Sequence, residues 1–167
     1  DPRHVLSQVL NAYNKAGLTP VVATELEFYL IDPVRSALDP VRPPHSREGR
    51  WHTGQTQVLS ISELQDFEDV FHDIATACRA QGVLADTTLR ENGPAQYEIN
   101  LNHVPDALQA ADFAVFLKRI VKGVARRHDL DATFMAKPYG LQAGNGMHVH
   151  FSVLDKSGRN IYAGEEG

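Results

Sequence analysis

The chain reads as an α+β domain, a largely antiparallel sheet backed by helices. Three observations predict this. Its periodicities run helix, strand, helix, strand, strand, helix, strand, strand, which is not a steady βα alternation. Two of the strands are joined by Asn92-Gly93-Pro94, a tight turn that sends the chain back beside itself. Neither G-x-G-x-x-G nor G-x-x-x-x-G-K-[ST] occurs, which argues against the common doubly wound nucleotide folds.

Each element has a local cause. A first helix over residues 2–16 is expected to bury Leu6, Val9, Leu10 and Tyr13, and Gly17 ends it. Residues 20–32, PVVATELEFYLID, are rich in β-branched and aromatic side chains and read as a strand. Residues 33–54, with Pro33, Pro40, Pro43 and Pro44, form an irregular loop that is long for a compact domain. A helix opening at Ser62 and running to about Gln81 aligns Leu64, Phe67, Val70, Phe71, Ile74 and Cys78. Strands over 83–90 and 96–101 flank the turn. A helix from Pro105 to about His128 follows, with Leu108, Ala111, Val115, Leu117 and Ile120 as its apolar contacts. A strand over 132–137, a Gly-rich loop, a strand over 146–154 and a turn at 155–158 complete the order.

Composition excludes several classes of function. The 167 residues suffice for one domain with a substantial core, and 43% hydrophobic with 22% charged residues is ordinary for a globular chain. A formal charge of −5 gives no nucleic-acid footprint. Lys118, Arg119, Lys122, Arg126 and Arg127 read as the solvated face of a helix. No apolar run is long enough to span a membrane and no signal peptide is visible. The single cysteine, Cys78, reads as a small core residue, and its isolation points to a reducing compartment, the cytoplasm.

Chemistry concentrates in three segments. In residues 137–152, KPYGLQAGNGMHVHFS, Gly140, Gly144 and Gly146 allow close approach to backbone N–H groups that can hold anionic oxygens. The strand that follows puts His148, His150 and Ser152 on one face and Met147, Val149, Phe151 and Val153 on the other. Such a row suits a metal–phosphate site, and it equally suits a solvated strand face. Glu25 and Glu27 share one face of the first strand, where two close carboxylates in a cleft need a cation to stay ionised together. Glu91 and Glu98 flank the turn, so a hairpin brings them together either as ligands or as a polar rim. Jointly, four glutamates and His148 are hard donors that favour Mg²⁺ or Mn²⁺.

Taken together, Glu25-Leu26-Glu27, ENGPAQYEINL, ATFMAKPY and GMHVHFS resemble the glutamine synthetase superfamily of ATP-dependent glutamate–amine ligases. The wording is closest to the γ-glutamylpolyamine (γ-glutamylputrescine) synthetase branch. The resemblance implies that Glu27, Glu91 and Glu98 hold one metal ion, while Glu25 and His148 hold a second that bridges the ATP phosphates. It implies that His150 and Ser152 approach the nucleotide phosphates, that Gly144 contacts glutamate, and that Asp86 and His103 neighbour the nucleotide. Two positions depart from the commonest pattern: Ala95 where a Gly often precedes the Gln, and Ala143 where ammonia-using enzymes often have Asn.

The implied reaction uses glutamate, ATP and an amine. The γ-carboxylate attacks the terminal phosphate, and the amine, a polyamine such as putrescine, then displaces phosphate from γ-glutamyl phosphate. Family members are longer, so the resemblance also implies a partial catalytic domain over 1–167. On this reading the small N-terminal β domain and the C-terminal part are absent, the piece is inactive alone, and the complete protein forms a ring-shaped homo-oligomer. Two other readings stand beside it: an ammonia-dependent glutamine synthetase, and a non-catalytic structural protein on the same fold. Against the last, a scaffold has no need to keep mutually repelling carboxylates.

Overall fold

The computed structural model describes residues 1–34, 36, 39–45 and 58–164. Nine elements follow in order: α1 (Pro2–Ala16), β1 (Thr19–Ile31), α2 (Ile61–Gln65), α3 (Glu68–Ala80), β2 (Ala85–Arg90), β3 (Gln96–Leu101), α4 (Ala107–Arg127), β4 (Asp131–Thr133) and β5 (Met147–Leu154). They form an open five-stranded antiparallel sheet with helices packed against it, as expected.

β1 is the spine of the sheet. On one edge it pairs with β3, and on the other it takes β5 along residues 19–26 and β4 along 29–31. β2 lies outside β3. The period-two pattern divides the two faces. Val22, Leu26, Phe28 and Leu30 of β1, with Tyr97, Ile99 and Leu101 of β3, turn toward the helices and join the core. Glu25 and Glu27, with Gln96, Glu98 and Asn100, turn the other way. The core is closed by Val70, Ile74 and Cys78 of α3 and by Phe113, Leu117, Val121 and Val124 of α4. Cys78 is fully buried there, and burial pushes its thiol up to about 11.

Several boundaries and faces differ from the sequence reading, each for a physical reason. The expected helix over 62–81 is two helices, with Ser60 rather than Ser62 capping α2. The Glu63 carboxylate pairs with Arg90 and its carbonyl accepts from Tyr97 Oη at 3.3 Å, which fastens α2 to the hairpin. Phe67, 6% exposed, turns into the core at the break. β4 is shorter than the expected 132–137 because the next groups bond elsewhere: Asn145 Nδ2 donates to Thr133 and Met135 carbonyls, and Asn145 N–H to that of Ala136. On α4, Leu117 and Ile120 are buried as expected, but Ala111 and Val115 are exposed; in the first half of the helix the buried stripe runs one position earlier, through Ala107, Ala110 and Ala114.

α1 buries no residue completely: Leu6 and Leu10 pack partly against the core while Val9 is exposed. On β5 the apolar set is largely open, with Met147, Val149 and Phe151 exposed and only Val153 buried. These three line an apolar groove with Leu6 of α1 and Val115 of α4, and Tyr13 meets Phe151 edge-on. Most of the loop expected over 33–54 lies outside the described residues.

Candidate functional site

Strand register assembles the site from segments far apart in sequence. Glu25 stands opposite His148 on β5 and opposite Asn100 on β3, while Glu27 stands opposite Glu98. Glu98 pairs with Leu89, two residues before Glu91, so the hairpin carries both glutamates to one face. His148 Nδ1 lies 3.3 Å from Glu25 Oε2 and 4.0 Å from Glu98 Oε2. Glu25, Glu98 and His148 each offer a ligand atom, all within 4.8 Å of one another. The sequence-based grouping placed Glu98 with Glu27 and Glu91; here it also reaches the Glu25–His148 side.

The remaining expected residues can be placed as well. His150 Nε2 lies 2.8 Å from Glu25 Oε1, and its ring stands 5.9 Å from that of His103. Ser152 is half-buried further along β5, opposite Val21. Asp86 is exposed near the start of β2, where the β2–β3 register shifts. The loop around Gly144 closes on the site from the side: a side chain at Gly144 would meet the Ala136 carbonyl at 2.7 Å, and one at Gly146 would meet Glu27 Oε1 at 2.8 Å. Tyr29 Oη donates to the Ala143 carbonyl at 2.8 Å and holds this loop down. Burial pushes that phenol up to about 12.

Electrostatics of the cluster match a cation site. Burial, and then the charges of Glu25, Glu91 and Glu27, push Glu98 up to about 7, with His148 partly offsetting them. Glu91 is raised by burial and by Glu27. Asn100 Oδ1, across from Glu25, is buried without a hydrogen-bond partner. A crowded set of carboxylates with a spare carbonyl oxygen and an accessible imidazole fits a hard divalent cation.

A pH dependence follows. Because the folded state holds the Glu98 proton more tightly than the unfolded chain, stability falls as pH rises from about 4.5 to about 7. Thermal melts in chelator across that window are expected to show the decline, and Glu98→Gln is expected to flatten it. A wild-type profile parallel to that of the variant would count against the assigned cause.

Sequence reasoning missed Gln96 and Asn145 as parts of this site. Gln96 is 1% exposed and donates to Glu27 Oε2 at 2.9 Å. Its signal was present, since a glutamine on the face of Glu98 amid apolar residues needs partners when buried.

Comparison with known proteins identifies the family of the chain. The family model for the glutamine synthetase catalytic domain matches residues 1–167. The chain belongs to the glutamine synthetase catalytic-domain family. It is 42% identical over 167 residues to γ-glutamylputrescine synthetase PuuA of Escherichia coli (strain K12), covering 100% of this chain and 35% of that protein. Identity to a glutamine synthetase of Pyrococcus horikoshii is 38% over 170 residues, again with 35% of that protein covered. A solved GmaS/ADP complex superposes with a TM-score of 0.83 at 32% identity, over 98% of this chain and 36% of the other. The chain therefore spans about a third of the length of these glutamine synthetase-family relatives. Among the described residues, no helix is long and apolar enough to cross a membrane.

Ala95 has a backbone conformation unusual for a residue with a side chain. Its φ is +56°, in the left-handed region that glycine enters freely, and its carbonyl accepts from Leu30 N–H.

Proposed function

We propose that this chain is part of a ligase that joins the γ-carboxylate of glutamate to an amine at the expense of ATP, with a polyamine such as putrescine as the amine. The observation that carries this reading is the 42% identity to a γ-glutamylputrescine synthetase along the whole chain, combined with the carboxylate–imidazole cluster. Ala143, where ammonia-using enzymes often have Asn, accords with it.

Glu27, Glu91 and Glu98 are the residues to hold one Mg²⁺ or Mn²⁺, and Glu25 with His148 a second. When bound, such ions offset the repulsion between an attacking carboxylate and the terminal phosphate. The chain's own groups do the rest. His150 and Ser152 face the phosphates, and the Gly144 loop, held by Tyr29, orients glutamate. Transfer of phosphate to glutamate gives an acyl phosphate and ADP; attack by the uncharged amine on the acyl carbon then expels phosphate. The carboxylate cluster favours approach of a cationic amine and can accept the proton it sheds. The same reading places the complete protein in the cytoplasm as a ring-shaped homo-oligomer.

The 38% identity to a glutamine synthetase supports a second reading, with ammonia as nucleophile. Phosphate release by the complete protein, assayed with glutamate, ATP and a panel of amines, separates the two. A higher kcat/KM for putrescine than for ammonia is expected; the reverse order would overturn the polyamine assignment. Absence of ATP-dependent amide formation with every amine would overturn the ligase itself.

A further inference from the structure

We propose that Gln96 is the positioning residue of this site, setting the direction of the Glu27 carboxylate and the seat of the 143–146 loop through one amide. What is thereby positioned, a cation ligand and a glutamate-binding loop, rests on the functional reading above; the tether itself does not.

Gln96 begins β3 and is 1% exposed. Its Oε1 accepts from Gly93 N–H at 2.8 Å. Its Nε2 faces three oxygens: Glu27 Oε2 at 2.9 Å, the Gly144 carbonyl at 2.9 Å and Asn145 Oδ1 at 3.1 Å. Two N–H bonds serve three acceptors, so one is shared. A donor on one side and acceptors on the other fix which way the amide points. Three segments therefore meet on a single side chain: β1, the hairpin turn and the Gly-rich loop.

The backbone of Gln96 extends the tie. Its carbonyl accepts from Glu91 N–H at 2.9 Å and from the buried Arg90 guanidinium at 3.4 Å. Asn145 passes the loop end on to the carbonyls of Thr133 and Met135. Chemistry restricts the residue type. Glutamate would keep the bond to Gly93 but set a carboxylate against three oxygens. Methionine keeps the length and makes none of the four bonds. Groups that orient cation ligands from behind commonly change affinity about 10–100-fold when removed.

Amide hydrogen exchange in chelator, followed by mass spectrometry, tests the tether on the full chain. Gln96→Met is expected to speed exchange about tenfold or more in both 91–95 and 139–147, leaving α3 and α4 unchanged. Gln96→Glu is expected to speed only 139–147, because the Gly93 bond survives, and it decides the matter if the methionine variant does not fold. Mn²⁺ titration of Gln96→Met is expected to show affinity about 10–100-fold below wild type. Wild-type exchange in 139–147 in a folded variant would overturn the proposal, as would uniform loosening of the sheet and helices. Unchanged Mn²⁺ affinity would also overturn it. If the complete wild-type protein binds no Mn²⁺, the functional reading fails and exchange alone judges the tether.

Discussion

Replacing Glu63 with alanine is expected to destabilise the fold by about 3–5 kcal/mol, because it strands a buried charge. Arg90 is 2% exposed, and the Glu63 carboxylate is its ion-pair partner. Among the described residues its other close contacts are the Gln96 carbonyl at 3.4 Å and the Tyr97 ring at 5.9 Å from the guanidinium carbon, while Glu91 acts on it through charge without an ion pair. Neither contact neutralises a guanidinium, which cannot shed its proton. In a chain of this size the loss corresponds to a drop in Tm on the order of 10 °C. Replacing both partners, as in Glu63→Leu with Arg90→Met, is expected to recover most of it, since desolvation then costs nothing. Urea unfolding of the two variants checks both statements. A single-variant loss below about 1 kcal/mol, the range of an exposed pair, would show that Arg90 finds water.

Gly146→Ala is expected to act in the opposite sense, harming binding far more than stability. A Cβ at Gly146 would lie 2.8 Å from Glu27 Oε1 and 3.5 Å from His148 Nε2. Gly146 has no positive φ, so its backbone tolerates alanine. What must move is the carboxylate end of Glu27, a side-chain tip whose shift strains its bond to Gln96 but leaves the sheet in place. On the proposed reading, Mn²⁺ affinity falls about tenfold or more while the melting temperature stays within a few degrees of wild type. Calorimetric titration beside a thermal melt tests this, and wild-type affinity in the variant would remove Glu27 from the ligand set.

These two residues show what was legible in the sequence. Period two placed Glu25, Glu27, Glu98 and His148 on strand faces, and the turn at Gly93 brought Glu91 back toward Glu98, because both rules are local. The Glu63–Arg90 pair was not legible, since nothing in either segment says that α2 stops after five residues to reach β2. The same holds for Asn145, whose side chain shortens β4 by taking its carbonyls. Alternation on β5 was real but misjudged in burial: periodicity reports which residues share a face, while cover depends on what packs there. Val9, Ala111 and Val115 were assigned to contacts for the same reason, and all three are exposed.

The central place of β1 also fixes an order of events. Its carboxylates precede β3 by some 70 residues, and His148 stands 123 positions beyond Glu25. Contacts of such separation carry a high loop-closure cost and form late. At roughly 5–20 residues per second, a growing chain exposes Glu25 and Glu27 on the order of ten seconds before their imidazole partner is made. During that interval β3 can occupy one edge of β1, while the edge that β5 will take stays open to any passing strand. The negative half of the site is thus laid down first. On the proposed reading, the carboxylates that would hold a cation are in place before the imidazole that completes the set has been synthesised.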